Sequence, residues 1–515
     1  MKYRQFFLAL ILTLLFASCE GFLDVKPTGK LIPTEVNQID NLLNANKYNY
    51  FFMDNGSMSS YAYLGDNIEI TPNERDYYYI VTNLDRYASY IFYKPFFDPT
   101  SSVHYFWSWG LYEPMAIYNT VIDGIANLGK EVNNTEYAKS VVAQAKAGRA
   151  YMYLIATVVW GPMWDPSGDN SARVLPYRID PSPPVVNPDL STTEEMFDLV
   201  KKDLDEALVD IPEIVASPIR VNKSAIHGIY AHYYMFKRDW QNMLTSADAS
   251  LKAAGSSPDQ YIYDLNDFKY KYIGTPPSDG TDHEVILSLE YEPNLLEPFN
   301  EPLSREFAHY KRSSNSWGVY PSEDWLAIFD RENDLRYKMF VLTNHGYKSG
   351  NNDDGLRLYN YRNHKMLGNT GISYPELLLM RAEAYARLSQ LPQALADLNT
   401  LRSFRFDKSN GQSTDHPDGA TLVNNKDKLL EEILTERRRE QCSHSFFRTI
   451  DLKRYVYDTG KPWSKTSVSH TLDGKTYSID LTDKMAFTLP YPNETIRYNP
   501  HWGLTEFEGV WDPKK

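Results

Sequence analysis

Cys19 is placed where its thiol could be acylated. Lys2 and Arg4 precede a short apolar run at residues 6–16, and two small residues stand immediately before the cysteine. This pattern is typical of a cleaved secretory signal, and a cysteine at the cleavage point is typical of a lipobox. The run has about eleven residues, fewer than the roughly 20 that span a bilayer. Residues 1–18 are therefore predicted to be a lipoprotein signal peptide, with an ordinary signal and a chance cysteine as the alternative.

Motifs for nucleotide, metal or protease chemistry are incomplete in this chain. Residues 124–130 match the spacing of a phosphate-binding loop, but Glu131 replaces its Ser or Thr and no strand pattern precedes it. His227 and His232 are five residues apart instead of four, which excludes the helical zinc-protease arrangement. The acidic run 351–355 has the wrong spacing for an EF-hand. These motifs therefore give no sign of a catalytic centre, and no metal and no cofactor are predicted.

The amino-acid composition argues for some classes of ligand and against others. The formal net charge is −14, which argues against nucleic acid as a ligand because that affinity comes from Lys and Arg. The chain has 39 Tyr and 10 Trp, side chains that suit surfaces which are half apolar and half wet, as carbohydrate-binding surfaces are. Cys442 is the only cysteine besides Cys19, so no disulfide framework is expected and Cys442 is predicted to be a buried apolar residue.

The elements that must position any site are mostly helices. Apolar and small residues recur at helical spacing in several segments, and Gly-Pro or short polar breaks end them. The predicted helices are 136–160, 222–236, 240–251, 375–388 and 393–404, with a capping-box-like start at 191–194 for a further one. A helix, a short turn and a helix in about 34 residues is the tetratricopeptide arrangement. The fold class is therefore predicted to be mainly α, with tetratricopeptide-like helix pairs.

Long irregular segments separate these helix pairs. Residues 161–190, 253–325 and 406–425 are rich in Pro, Gly, Asn and Asp, and they contain scattered aromatic residues. Loops of this length in a folded protein are usually functional or disordered, and their aromatic content argues against simple disorder. Residues 19–36, which contain Pro27, Gly29 and Pro33, are predicted to be an extended tether.

Six motifs together resemble one known family, the SusD/RagB nutrient-binding lipoproteins of the Bacteroidetes outer membrane. Each motif is weak alone, but all six occur in the family's order and span nearly the whole chain. They are the lipidated start at 19–24, Trp-Gly-Leu-Tyr at 109–112 with Ile-Tyr-Asn at 117–119, the helix 147–154 running into Trp-Gly-Pro at 160–162, the repeat 376–385 with 398–402, the run 436–440 with 451–454, and a strand-like tail at 489–500.

The resemblance implies a binding protein and not an enzyme. Family members capture oligosaccharide at the cell surface and deliver it to a SusC-like TonB-dependent transporter. The implied organisation is a SusD-like α-α superhelix, with an N-terminal region at 37–255 and a C-terminal region at 256–515 that carries the ligand face and the last helix repeats. The resemblance also implies anchoring in the outer membrane through lipidated Cys19, on the side facing the cell exterior.

A sugar ring offers an apolar face for Trp or Tyr and a rim of hydroxyls for Asp, Asn or Arg. Aromatic residues in irregular segments that lie near polar residues are therefore the best candidates for ligand contacts. The aromatic candidates are Tyr78, Trp107, Trp317 and Tyr320, with the polar residue Arg75 close to Tyr78 in the chain. Asp66 and Asn67 are added because the resemblance implies polar ligand contacts from their stretch of the chain. Trp107 is expected to face outward, whereas Trp109, Tyr112, Trp160 and Trp325 are expected in the core because they belong to helical patterns.

Other functions remain open from the sequence. Within the same import system, peptide is the main rival to glycan as the ligand. A repeat scaffold that binds only protein would lack a small-molecule site, and the long aromatic insertions argue against it. A surface glycosidase would need two inward-facing carboxylates at a set separation, which sequence spacing does not reveal.

Overall fold

The computed structural model describes residues 33–45, 60–72, 74–76, 84–102, 105–182, 186–267, 269–272, 287–290, 304–311, 320–343, 357–359, 371–441 and 445–515. Four residues singled out from the sequence lie outside this part of the chain, namely Cys19, Tyr78, Trp317 and Cys442. The signal segment and the acidic run 351–355 lie outside it as well. The described part is mainly helical, as predicted, with short two-stranded sheets.

The helices have the following bounds: α1 Val36–Asp40, α2 Leu84–Tyr90, α3 Glu113–Ala126, α4 Lys130–Asn133, α5 Glu136–Trp160, α6 Thr193–Leu208, α7 Lys223–Lys237, α8 Trp240–Ala254, α9 Glu323–Leu326, α10 Leu335–Phe340, α11 Tyr374–Arg387, α12 Leu391–Arg405, α13 Gly419–Leu422, α14 Lys426–Glu440, α15 Phe447–Tyr455 and α16 Asn493–Tyr498. The strands pair antiparallel and are β1 Ile68–Glu69 with β7 Tyr320–Pro321, β2 Arg173–Leu175 with β3 Ser191–Thr192, β4 Lys269–Tyr272 with β5 Leu287–Glu290, β6 Phe307–His309 with β10 Ile372–Ser373, β8 Val341–Thr343 with β9 Arg357–Tyr359, and β11 Ser467–Leu472 with β12 Lys475–Asp480.

Helix α5 lies in the centre of the hydrophobic core and has the bounds that its alanine spacing predicted. Thr135 caps its start, because the Thr135 hydroxyl accepts a hydrogen bond from the Ala138 N–H at 3.2 Å. At its other end Lys453, which is buried, donates hydrogen bonds to the carbonyls of Val158 and Gly161. The Lys453 amino group satisfies carbonyls that have no partner within the helix, while burial lowers the pKa of Lys453 to about 7.

Helix α6 packs against α5 and begins with the predicted capping box. The box is formed by Thr192 and Glu195, one residue later than the sequence pattern suggested. The two helices are joined by Arg149, which donates to both carboxylate oxygens of Asp203 at 2.7 Å. Since both side chains are buried, this bidentate pair fixes the register of the two helices.

The next helices form two close pairs, α7 with α8 and α11 with α12. Each pair is joined by a short turn that contains a residue in the left-handed region, Arg238 at φ 59° in the first and Ser389 at φ 63° in the second. This conformation is uncommon for residues other than Gly, and its recurrence marks the two turns as equivalent. The helix–turn–helix order expected from the sequence is confirmed, and the tetratricopeptide likeness of the pairs stays a prediction.

The run 436–440 at the end of α14 makes ion pairs between helices. Arg437 contacts Glu376 of α11 at 2.8 Å and Asp451 of α15 at 2.9 Å, while Glu436 pairs with Arg336 of α10 at 2.7 Å. The first two residues of this polar run are buried, since Glu436 is 0% and Arg437 2% exposed. Burial alone would raise the pKa of Glu436, but Arg336 and its neighbouring arginines lower that pKa to about 2.

The C-terminal segment differs from the expected strand-like tail. It contains helix α16 and a 3₁₀ turn, Pro500–Trp502. The Trp502 ring is buried in the core, and its indole N–H donates to the carbonyl of Pro188 at 2.9 Å. A helix forms here because Pro492 precedes the first turn, where no internal N–H donor is required, and a packed Trp closes the segment.

The described residues include two segments whose motifs the sequence analysis found incomplete, the phosphate-binding-loop spacing and the histidine pair. Gly124 lies inside helix α3, so residues 124–130 do not form a phosphate-binding loop after a strand. His232 is buried, and its Nε2 lies 3.0 Å from Glu376 Oε1 in the core. Within the described residues, no cluster of His, Cys, Asp or Glu is suited to a metal ion, and no helix there is long and apolar enough to cross a membrane.

A glycine in α5 tests how tightly the core is packed. A Cβ atom added at Gly148 would lie 2.3 Å from Tyr118 Cε1 of α3, a distance that forces the ring or the helices to move. We expect Gly148→Ala to lower the free energy of unfolding by about 1–3 kcal/mol, the usual cost of overpacking a core. The measurement is urea unfolding of residues 20–515. Gly129→Ala is the control, because nothing lies within 4 Å of its Cβ position; equal stability of the two variants would contradict the packing of α3 on α5.

Candidate ligand site

A polar cleft of about 320 Å³ opens at the surface between three segments of the chain. The first wall is residues 66–69, the second is residues 322–324, and the third is strand β11 with Lys465. The polar residues that line this space include Asp66, Glu69, Asp324, Lys465, Ser467 and Ser469, and the Ser469 hydroxyl also lies 2.8 Å from the Ser478 hydroxyl of β12. We name this space the Asp66 cleft.

The first two walls are joined by a short sheet and by Ser322. Strand β1 pairs with β7, so that Glu69 lies opposite Tyr320. The Ser322 N–H donates to the Asn67 carbonyl at 2.9 Å, and its hydroxyl donates to the Asp66 carbonyl at 2.7 Å. The same hydroxyl accepts from the Trp325 N–H and caps α9. One serine therefore fixes the start of α9 to the Asp66 segment.

Asp66 is buried and carries its charge in a set of ion pairs. Arg448 of α15 donates to both carboxylate oxygens, at 2.7 and 2.9 Å, and Lys465 contacts the same group at 2.6 Å. Burial would raise the pKa of Asp66, but Arg448, Arg438 and Lys465 together hold that pKa well below its ordinary value. Asp66 is therefore an anion at neutral pH, and three cations fix its position.

Asn67 lies behind the cleft wall and is 1% exposed. Its side-chain oxygen accepts a hydrogen bond from Arg438 Nε of α14 at 2.7 Å. Its amide nitrogen is buried and has no hydrogen-bond partner among the described residues. Asn67 thus positions the first wall through Arg438 and does not itself line the cleft.

The third wall is fastened to the first by His470 of β11. Both ring nitrogens face backbone carbonyls, with Nδ1 at 2.6 Å from the Tyr90 oxygen and Nε2 at 2.8 Å from the Gly65 oxygen. The ring also stacks on Tyr90 and on Phe92, with centroid distances of 4.3 and 4.7 Å. Burial lowers the pKa of His470, while the two carbonyls act in the opposite direction.

The third wall is a β-hairpin, formed by β11 and β12, that has a tight two-residue turn. Asp473 and Gly474 both have positive φ, 52° and 75°, which is the conformation of a two-residue turn that matches strand twist. Val468, His470 and Leu472 point inward, whereas the residues between them are exposed. The alternation places the Ser467 and Ser469 hydroxyls on the open side of the hairpin.

Carboxylates dominate the mouth of the cleft. Glu69 is half-buried, and its burial together with the nearby charge of Glu323 raises the pKa of Glu69. Asp324 is exposed and lies 3.9 Å from Lys465, which is bound more closely by Asp66. Among the described residues, no Lys or Arg forms an ion pair with Glu69 or Glu323.

The structure brings together three of the residues that the sequence singled out. Asp66 lines the cleft, and Asn67 and Tyr320 are buried directly behind it. Arg75 is half-exposed and pairs with Asp473 at the turn of the β11–β12 hairpin, outside the lining. Trp317 and Tyr78 lie outside the described residues.

Trp107 does not face outward, contrary to expectation. It is 7% exposed and packs against Trp160 at a centroid distance of 5.7 Å, with Tyr491 and Trp502 on its other sides. Its ring is therefore used for packing. The expected core positions of Tyr112, Trp160 and Trp325 are confirmed, and the side chain of Trp109 is not among those described.

Sequence reasoning missed Glu69, Lys465 and the whole third wall. A local signal existed for the hairpin, because residues 467–472 alternate in polarity and Asp473-Gly474 is a strong turn sequence. Nothing local showed that this hairpin lies against a segment about 400 residues earlier in the chain. The contact depends on tertiary packing alone.

The fold and cleft define a mainly helical protein with a polar ligand-sized site, and two family models match the chain. A model described as "SusD family" matches residues 311–502, and one described as "Starch-binding associating with outer membrane" matches residues 21–235. Both matches agree with the family that the motifs of the chain resemble.

Individual relatives are distant. SusD-like protein P38 of Formosa agariphila is 25% identical over 366 residues, which cover 62% of this chain and 67% of that protein. A SusD superfamily structure from Bacteroides thetaiotaomicron has a TM-score of 0.63 at 16% identity, over 90% of this chain and 98% of its own. A laminarin-binding SusD-like protein has a TM-score of 0.56 at 14% identity, over 91% and 98%. At these identities the structures show a shared fold.

The charge of Asp66 can be tested directly. Asp66→Asn leaves Arg448 and Arg438 buried without their carboxylate, so we expect the free energy of unfolding at pH 7 to fall by about 3–5 kcal/mol. Because the folded pKa of Asp66 is lowered from 3.8, its contribution is complete above about pH 4 and is lost as the pH falls further. The difference between wild type and variant, measured by urea unfolding, should therefore shrink below about pH 4.

Asp324→Asn is the matched control for this experiment. It makes the same chemical change in the same cleft, but the Asp324 side chain is 75% exposed. Its effect should stay within about 0.5 kcal/mol. A loss of the same size in both variants, or no loss in Asp66→Asn, would contradict the role of Asp66 as a buried structural anion.

Proposed function

We propose that the protein is a cell-surface glycan-binding lipoprotein that captures oligosaccharide in the Asp66 cleft and delivers it to a SusC-like TonB-dependent transporter. The observation that carries the proposal is a polar cleft whose wall residue Asp66 is held in place by ion pairs with Arg448 and Lys465. The match to a family model described as starch-binding and associated with the outer membrane supports it. The laminarin-binding member with the same fold is consistent with a glycan ligand.

The chemistry of the cleft suits sugar hydroxyls, which both donate and accept hydrogen bonds. Carboxylates such as Glu69 and Asp324 accept from hydroxyls, and the Lys465 ammonium donates to them. The Ser467 and Ser469 hydroxyls do either, depending on the ligand. Because Arg448, Lys465 and Ser322 already fix the walls, little side-chain ordering is needed on binding, which favours affinity.

Aromatic side chains would cover the apolar faces of the sugar rings. Tyr90 borders the cleft but is only 2% exposed and stacks on His470, so Trp317 and Tyr78 are the aromatic candidates from the sequence. Trp317 precedes the wall residue Tyr320 by three positions in the chain. Covering about 100 Å² of ring is worth roughly 2.5 kcal/mol at ~25 cal/mol per Å², so the hydrogen bonds of the cleft and one or two rings would act together.

The proposed location is the outer membrane, through lipidated Cys19 and the tether at 19–36, with the protein facing the cell exterior. The family description links such chains to the outer membrane. A lipid anchor and a tether would hold the folded part at the membrane surface. The proposed role is binding and transfer to the transporter, without chemical change of the glycan.

Calorimetry with residues 20–515 tests the proposal. The panel contains plant, host and microbial polysaccharides and a peptide mixture, and we expect saturable binding of at least one glycan. Ser469→Trp should reduce that affinity by at least about tenfold, because a large side chain on an exposed position of the lining would fill the cleft. Trp317→Ala should also reduce it, by the loss of one ring contact.

Ser409→Trp is the control, since Ser409 is exposed and outside the lining. It should bind glycan as the wild type does. Peptide binding without glycan binding would move the protein to oligopeptide import, and binding of neither would overturn the proposal. Glycan binding that is unchanged in Ser469→Trp would place the site elsewhere on the molecule.

A further inference from the structure

From the charges around the Asp66 cleft, we infer that it selects uncharged glycans and discriminates against glycans that carry carboxylate or sulfate groups. This inference rests on the proposed function and narrows its substrate class. It depends on which charges in the lining are already neutralised and which are left to face a ligand.

The cationic groups near the cleft are already committed. The Lys465 ammonium group lies 2.6 Å from the Asp66 carboxylate and 3.9 Å from the Asp324 carboxylate. Behind the wall, Arg448 holds both oxygens of Asp66, and Arg438 donates to the Asn67 side chain. Both arginines are nearly buried, so neither offers a free guanidinium to an anionic ligand.

The acidic groups at the mouth are not neutralised in the same way. Glu69, Glu323 and Asp324 all line the cleft, and within the described part of the chain no Lys or Arg pairs with the first two. Glu69 and Glu323 are close enough for the charge of one to raise the pKa of the other. A ligand carboxylate or sulfate would enter this space as a further negative charge.

The chemical consequence differs between the two kinds of glycan. A sugar hydroxyl donates a hydrogen bond to a carboxylate, and such charge-assisted hydrogen bonds are among the stronger ones. An ionised uronate or sulfate has no proton to donate and is repelled by like charges, more strongly where water is partly excluded. The half-buried position of Glu69 therefore makes it the main discriminating group.

The overall charge of the chain acts in the same direction. The formal net charge is −14, so long-range attraction of polyanions to the surface is not expected. Since this global effect is screened by salt, an experiment must separate it from the local effect of Glu69 and Glu323. Variants of equal net charge make that separation.

The test measures binding of matched polysaccharide pairs to residues 20–515 by calorimetry at low salt. The pairs are laminarin, xyloglucan and galactomannan, each with its carboxymethylated derivative, and alginate and pectin are included as natural polyanions. For every pair that binds, we expect the neutral form to bind at least tenfold more tightly than the derivative. In the double variant Glu69→Gln with Glu323→Gln, this ratio should fall to about threefold or less, because Gln keeps the size of Glu and removes its charge.

Glu332→Gln with Glu494→Gln is the matched control, because both residues are exposed, lie outside the lining and change the net charge equally. It should keep the wild-type ratio. Tighter binding of alginate, pectin or a carboxymethylated form by the wild type would overturn the inference and leave the proposed function standing. An unchanged ratio of neutral to anionic affinity in the Glu69→Gln, Glu323→Gln double variant would also overturn the inference and leave the proposed function standing. Absence of binding to every glycan would overturn the proposed function itself, together with this inference.

Discussion

Buried arginine–carboxylate pairs along α14 and α15 connect the helical scaffold to the cleft, and the rest of the structure depends on them. Arg437 joins α14 to α11 and α15, Arg438 holds Asn67, and Arg448 holds Asp66. Breaking a buried pair leaves an uncompensated charge, which is costly. The position of the cleft walls is therefore fixed by two helices of the scaffold, α14 and α15.

This arrangement explains how short and irregular segments can form a defined site. Strands β1 and β7 are only two residues long, too short to be stable alone. Ser322 and Asp66 attach them to α9 and α15, and His470 attaches the β11–β12 hairpin. The scaffold supplies the rigidity, while exposed side chains of the walls remain available for a ligand.

Much of the helical scaffold could be predicted because its signals are local. The spacing of alanines defined α5, and the polar breaks near Arg238 and Ser389 separated the helix pairs. The burial of Glu436 and the packing role of Trp107 could not be predicted, since a polar run and an aromatic residue before a helix are equally compatible with exposure. The cleft was found only in part. Asp66 was identified through family resemblance, whereas its partners Arg448 and Lys465 lie almost 400 residues away and give no local sign of the contact.

The most direct test of this account is a crystal structure of residues 20–515 with the oligosaccharide that binds best. The account predicts a sugar in the Asp66 cleft, with its hydroxyl oxygens about 2.7–3.0 Å from Glu69, Asp324 or Ser469. It also predicts that the pairs of Asp66 with Arg448 and Lys465 remain as they are in the protein alone. A sugar bound at another surface, with the cleft empty or closed, would contradict the assignment of the site.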